Sequence, residues 1–137
     1  VLLPGGNMSR KAIVCVDDES IILWSMVQEI SEHFGERFEY HSMTDPKKVV
    51  SLLRSLESSG VETSLVVSDW LMPGLKGDEL VNLLAQDNPG IRAVIVTGHS
   101  NDNVLSGFRS NPNIFGIVAK PWVPEHLMSV IEKAMLR

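Results

Sequence analysis

The chain has 137 residues, a formal net charge of -5 and 44% hydrophobic residues. That length is about one domain, and the apolar content is that of a packed core rather than a disordered chain. No basic stripe suited to nucleic acid is present, no apolar run approaches the about 20 residues that span a bilayer, and no signal segment opens the chain. A cytoplasmic protein without direct nucleic-acid or membrane contact is the default expectation. The single cysteine, Cys15, lies in an apolar run and reads as a buried small hydrophobe.

Val1 to Asn7 contains Pro4-Gly5-Gly6 and reads as a flexible lead, so residues 1–9 are set apart from a domain over 10–137. Lys11 to Val16 is a β-branched apolar run that stops at Asp17-Asp18-Glu19. Ile22, Leu23, Met26, Val27, Ile30 and Phe34 recur at helical spacing, which predicts a helix from Ser20 to about His33. Arg37 to Met43 alternates like a strand, with Phe38 and Tyr40 on one face. Thr44 or Asp45 caps the next helix, Pro46 suits its first turn, and the helix stops near Ser58-Ser59-Gly60.

Leu65 to Ser68 is the next strand, ending at Asp69, and a loop with Pro73, Gly74 and Gly77 follows. A helix takes Glu79 to Gln86, and Ile91 to Val96 is a strand ending at Thr97-Gly98. A weaker helix runs from Asn101 to Arg109. Ile114 to Ala119 is the last strand, ending at Lys120-Pro121, and a helix from Pro124 to Met135 closes the chain. Five strands alternating with five helices predict an α/β fold with a parallel sheet covered on both faces.

Ligands of such sheets bind beyond the carboxyl ends of the strands. Those ends deliver Asp17 and Asp18, Asp69, Thr97 and Lys120. If the first and third strands are neighbours, three carboxylates converge, and their repulsion calls for a cation. A hard divalent ion such as Mg²⁺ suits oxygen ligands and bridges to phosphoryl groups. A carboxylate nucleophile, a metal, a lysine and a hydroxyl together make a phosphoryl-transfer site. Singly, each residue has an ordinary reading: Asp17, Asp18 or Ser20 can cap a helix, Thr97 can satisfy backbone, and Lys120 can be solvated.

Val16-Asp17-Asp18-Glu19, the run Ser68-Asp69-Trp70-Leu71-Met72-Pro73-Gly74-Leu75-Lys76-Gly77, Val96-Thr97-Gly98 and Ala119-Lys120-Pro121 together resemble the receiver domain of bacterial response regulators. The likeness covers Arg10 to Arg137. It implies a doubly wound five-stranded parallel sheet of order 2-1-3-4-5, a flavodoxin-like and CheY-like three-layer sandwich. It implies Asp69 as phosphoacceptor, a Mg²⁺ held by Asp17, Asp18, Asp69 and the Leu71 backbone carbonyl, and a phosphoryl group contacted by Thr97 and Lys120. Gly98 would leave room for that group, and the Lys120–Pro121 bond would be cis. The resemblance also places Leu71 and His99 at positions that in this family influence phosphoryl lifetime. Ile117 stands where many receivers carry a rotating aromatic switch, so the resemblance does not extend to that version of the switch. The implied partners are a sensor histidine kinase or phosphotransfer protein, and an output domain or partner at the face of helix 4, strand 5 and helix 5, with a homodimer possible. The implied role is that of a signalling phosphoacceptor which catalyses only its own phosphorylation and dephosphorylation.

The remaining singular residues get plain readings. His33, His41 and His126 lack metal-ligand spacing. Trp24 is expected at the boundary of helix 1, and Trp70 half exposed beside Asp69. Trp122 is expected either on the helix 4–strand 5–helix 5 face or partly in the core. The competing function is a phosphorylation-independent interaction module of the same fold. A phosphatase with an aspartyl intermediate is disfavoured because Leu71 stands where such enzymes carry a second aspartate. No GxxxxGK[ST] loop is present, and acids replace the phosphate-binding loop that a flavodoxin has after its first strand.

Overall fold

A computed structural model describes residues 10–99 and 101–136; the expected N-terminal lead lies outside the described residues. Five strands, β1 (Arg10–Val16), β2 (Glu39–Met43), β3 (Val61–Asp69), β4 (Ala93–Thr97) and β5 (Ile114–Ala119), alternate with α1 (Ser20–Phe34), α2 (Val49–Ser58), α3 (Gly77–Asp87), α4 (Asp102–Arg109) and α5 (Pro124–Leu136). All strand pairs are parallel, in the order β2-β1-β3-β4-β5.

The period of two along each strand divides the core into two layers. Ala12, Val14 and Val16 of β1 face Val49 and Leu56 of α2, Leu80, Val81 and Leu84 of α3 and Phe108 of α4. Ile13 and Cys15 face Leu23, Met26 and Ile30 of α1 and Leu127, Met128 and Ile131 of α5. Phe38 and Tyr40 both pack on the α1–α5 side, as their alternation predicts. Burial in that layer pushes the Cys15 thiol up to about 12, so it packs as an inert hydrophobe.

Several boundaries differ from the sequence-based expectation. β3 starts at Val61 rather than Leu65, because polar Glu62 and Thr63 still pair with Lys11 and Ala12 of β1. A 3-10 turn, Pro46–Lys48, precedes α2; Asp45 is its cap, accepting from Lys47 N–H at 3.0 Å. Another, Gly35–Arg37, delays β2. α3 begins at Gly77, two residues early, and Glu79 Oε1 accepts from Lys76 N–H at 2.9 Å in front of it. β4 starts at Ala93, not Ile91.

The structure corrects the placement of one tryptophan and decides between the two places expected for another. Trp24 is 66% exposed, fully outside the core rather than at its boundary. Trp122 takes the second of its two expected places, partly in the core rather than on the α4–β5–α5 face: its indole N–H donates to Glu29 of α1 at 2.6 Å, and the ring packs against the α1–α5 layer.

Candidate functional site at the carboxyl edge of the sheet

The chain reverses its winding at β1: β2 lies on one side of it and β3 on the other. At this switch point the loops after β1 and β3 diverge and leave a crevice. Asp17 follows β1 directly and Asp69 is the last residue of β3, so both enter the same crevice. Carboxylate oxygens of Asp17, Asp18 and Asp69 lie within 4.8 Å of one another. Asp17 is fully buried, Asp69 is 6% exposed, and Asp18 is exposed.

Lys120, just past β5, reaches across β4's end into this cluster. Its Nζ is 2.8 Å from Asp17 Oδ2 and 3.1 Å from Asp69 Oδ1. Burial would lower its pKa, but the hydrogen bond and charge of Asp17, with those of Asp69, raise it above the ordinary lysine value. Burial first, and the negative charge of Asp17 second, hold the Asp69 carboxyl above the usual aspartate range, against the pull of Lys120 and the Trp70 N–H. Three carboxylates against one ammonium leave two negative charges uncompensated. The donor set is all hard oxygen, and a divalent cation fits both the charge and the chemistry.

Backbone ties fix these side chains. Asp17 N–H donates to Met43 O at 3.3 Å, and Asp17 Oδ1 accepts from Glu19 N–H at 2.9 Å. Asp17 thereby supports the entry to α1, although Glu19 is the capping position and uses no side-chain bond. Lys120 N–H donates to Thr97 O at 2.9 Å, joining the ends of β4 and β5. Thr97 is 1% exposed, and its Oγ1 accepts from His99 N–H at 2.9 Å. A Cβ built on Gly98 meets nothing within 4 Å, so the space beside Thr97 is open. The Lys120–Pro121 peptide is cis. Leu71 follows the acidic cluster with 48% of its surface exposed. Ile117 pairs with Ile95 and is half-buried against the α2–α4 layer.

Two features escaped the sequence reading. Gly77 N–H donates to Trp70 O at 2.7 Å, closing the β3–α3 loop tightly enough that a Cβ on Gly77 would sit 2.3 Å from the Asp69 carbonyl oxygen. Only glycine permits that approach. The second is the Trp70 side chain, whose Nε1–H donates to Asp78 Oδ1 at 3.0 Å while Lys76 Nζ sits 5.3 Å from its ring centroid. The loop's two glycines and proline signalled a turn, but nothing in their spacing showed how near it passes to Asp69.

A model of the response regulator receiver domain matches residues 13–132. The hydrogenase transcriptional regulatory protein HoxA of Cupriavidus necator is 24% identical over 92% of this chain, and the sensor kinase CckA of Brucella abortus is 23% identical over 90%. The chain spans 24% of the length of the first and 12% of the second. The signal receiver domain of an HD domain-containing protein from Pseudomonas fluorescens superposes with a TM-score of 0.78 at 24% identity, over 93% of this chain and 95% of that one, which shows the same fold. With the family model covering nearly the whole described region, the chain belongs to the receiver domains of two-component response regulators.

Proposed function

We propose that Asp69 accepts a phosphoryl group from the phosphohistidine of a sensor kinase or phosphotransfer protein, or from a small phosphodonor, and that the resulting charge switches the domain. The observation that carries this reading is the meeting of Asp17, Asp18 and Asp69 within 4.8 Å, with Lys120 bonded to two of them.

Asp69 Oδ1 already accepts from Trp70 N–H at 2.9 Å and from Lys120. Oδ2 is then the attacking oxygen. It forms a bond to phosphorus as the bond to the donor's ring nitrogen breaks, and that nitrogen keeps the electron pair. When bound by Asp17, Asp18, Asp69 and the Leu71 backbone carbonyl, Mg²⁺ supplies charge neutralisation at the phosphoryl oxygens. Lys120 shifts from the carboxylates to a phosphoryl oxygen, and Thr97 donates its hydroxyl to another. Gly98 provides the space. Hydrolysis reverses the role of Asp69, which leaves as water attacks phosphorus; exposed Leu71 and His99 border that approach and tune its rate.

Moving a two-state equilibrium from 1:99 to 99:1 takes about 5.5 kcal/mol of differential stabilisation. New contacts from Thr97 and Lys120 to the phosphoryl group are the source, and the α4–β5–α5 face passes the change to an output domain or partner.

The test is intact mass after incubation with Mg²⁺ and acetyl phosphate. One phosphoryl adduct is expected, absent in Asp69→Asn and without Mg²⁺. No adduct, with no beryllofluoride binding either, would point instead to a phosphorylation-independent interaction module.

A further inference from the structure

Trp70 joins the site to α4 in a way that its neighbours do not. Its backbone N–H donates to Asp69 Oδ1 at 2.9 Å and to Val96 O at 3.2 Å. Its indole is held by the 3.0 Å bond to Asp78 Oδ1. The ring then meets two others edge-on. His99 lies 5.5 Å away between centroids at 73°, and Phe108 lies 5.5 Å away at 75°. Each contact leads to a moving part of the proposed switch. His99 N–H is bonded to Thr97 Oγ1. Phe108 is the one buried residue of α4 among the described residues, whereas α1, α3 and α5 each bury four. A helix of eight residues with one fully buried ring, and only the half-buried Val104 and Leu105 packed beside it, is the element most readily displaced.

We propose that Trp70 is a positioning residue that transmits the state of Asp69 to α4, through the chain Thr97–His99–Trp70–Phe108. This rests on the phosphoacceptor reading of Asp69 and names how that site is read out. Rotating Thr97 to carry its hydroxyl onto a phosphoryl group removes the acceptor from His99 N–H. His99 is then free to change its contact with the indole edge, and the indole bears on the ring that anchors α4. Packed aromatic rings have discrete edge and offset arrangements, so a small change at one contact passes to the next as a step rather than fading. The coupling lies on the β3–α3 side of Thr97. It needs no aromatic at Ile117, which is half-buried against the same layer.

Amide NMR spectra of the full chain, recorded with Mg²⁺ and then with beryllofluoride added, test this. In the wild type, amides of Thr97 and Lys120 and those of Asp102 to Arg109 are expected to move. Trp70→Leu removes the indole, and His99→Ala removes the imidazole that meets it while keeping the backbone N–H that bonds Thr97; His99 is exposed, so loss of its ring leaves the fold intact. In both variants the shifts at Thr97 and Lys120 are expected to persist, while those along α4 fall to less than half. Trp70→Phe, which keeps the ring edge but not the bond to Asp78, is expected to restore them. A folded Trp70→Leu or His99→Ala protein whose α4 amides move as far as the wild type's overturns the coupling alone. If Trp70→Leu fails to fold, His99→Ala decides by the same criterion. No response at Thr97 and Lys120 in the wild type overturns the phosphoacceptor reading, and the coupling with it.

Discussion

The two edges of the sheet carry charge in opposite ways. At the carboxyl edge, Asp17 and Asp69 are buried and share a lysine whose side chain is 17% exposed. At the amino edge, Arg10 pairs with Glu39 and Arg54 with Asp87 on open surface. A groove of about 620 Å³ also lies at that edge, lined by Leu53, Arg54, Leu84, Asp87 and Ile91, away from the acidic cluster. Surface pairs contribute little and cost little. Buried, unbalanced charge costs stability and persists where chemistry requires it. The contrast teaches that the depth and imbalance of the charges, not the size of the adjacent groove, mark the site.

The sharpest way to break this comparison is Lys120→Met. The variant strands Asp17 and Asp69 against each other in a buried setting, and removing one partner of such a set costs about 3 kcal/mol. Urea melts in chelator at neutral pH should show that loss. An unchanged midpoint would mean that solvent, not Lys120, balances the carboxylates.

Asp69→Asn is expected to act in the opposite direction and by less. Burial and Asp17 raise the Asp69 pKa, so the folded state holds this proton more tightly than the unfolded chain. The ionised carboxylate therefore carries a cost at neutral pH, which disappears as pH falls through the folded value to the unfolded one. The metal-free variant should melt higher than the wild type at pH 7, and the gap should narrow as the carboxylates titrate. A gap that widens with acid has the wrong sign and would refute the assignment.

How much of this was legible beforehand follows from what each signal depends on. Strand ends are visible because apolar runs stop abruptly at Asp17, Asp69, Thr97 and Lys120, and in a parallel α/β fold those ends share one edge. The sheet order came from resemblance, since periodicity says which face a residue takes but not which strands are neighbours. Trp24 departs from expectation because helical spacing locates a stripe, not its depth, and the choice between the two places open to Trp122 rests on a distant partner. Ile21 and Trp24 lie off the Leu23–Met26–Ile30 stripe and stay exposed, whereas Trp122 is drawn in by Glu29, ninety-three positions away. Gly77 and the Trp70–Phe108 contact depend equally on tertiary approach, which no local pattern encodes.

Asp18 sharpens the comparison at the rim of the site. It is the exposed member of the acidic cluster, so Asp18→Asn should leave the metal-free stability nearly unchanged. Mg²⁺ at ten times its Kd stabilises a folded protein by about 1.4 kcal/mol. The wild type should gain that in thermal melts, and the variant should lose most of it at the same concentration. Equal gains in both proteins would remove Asp18 from the ligand set.

The smallest effect belongs to the amino edge. Arg54 makes two bonds to Asp87, at 2.6 and 3.0 Å, and the hydrogen bond from Arg54 holds the Asp87 carboxyl below its usual range. A depressed pKa stabilises the fold above the unfolded value, and that contribution is lost as pH falls through the folded one. Both partners are open to solvent, so salt screens the pair. Asp87→Asn should therefore lower the urea midpoint only slightly at pH 7 in low salt, and not at all in molar salt or in acid. Lys120→Met, by contrast, should keep most of its loss in molar salt, because the carboxylates it exposes are buried. If the two variants respond to salt alike, the carboxyl-edge charges are solvated like those at the amino edge, and the physical basis for singling out that edge fails.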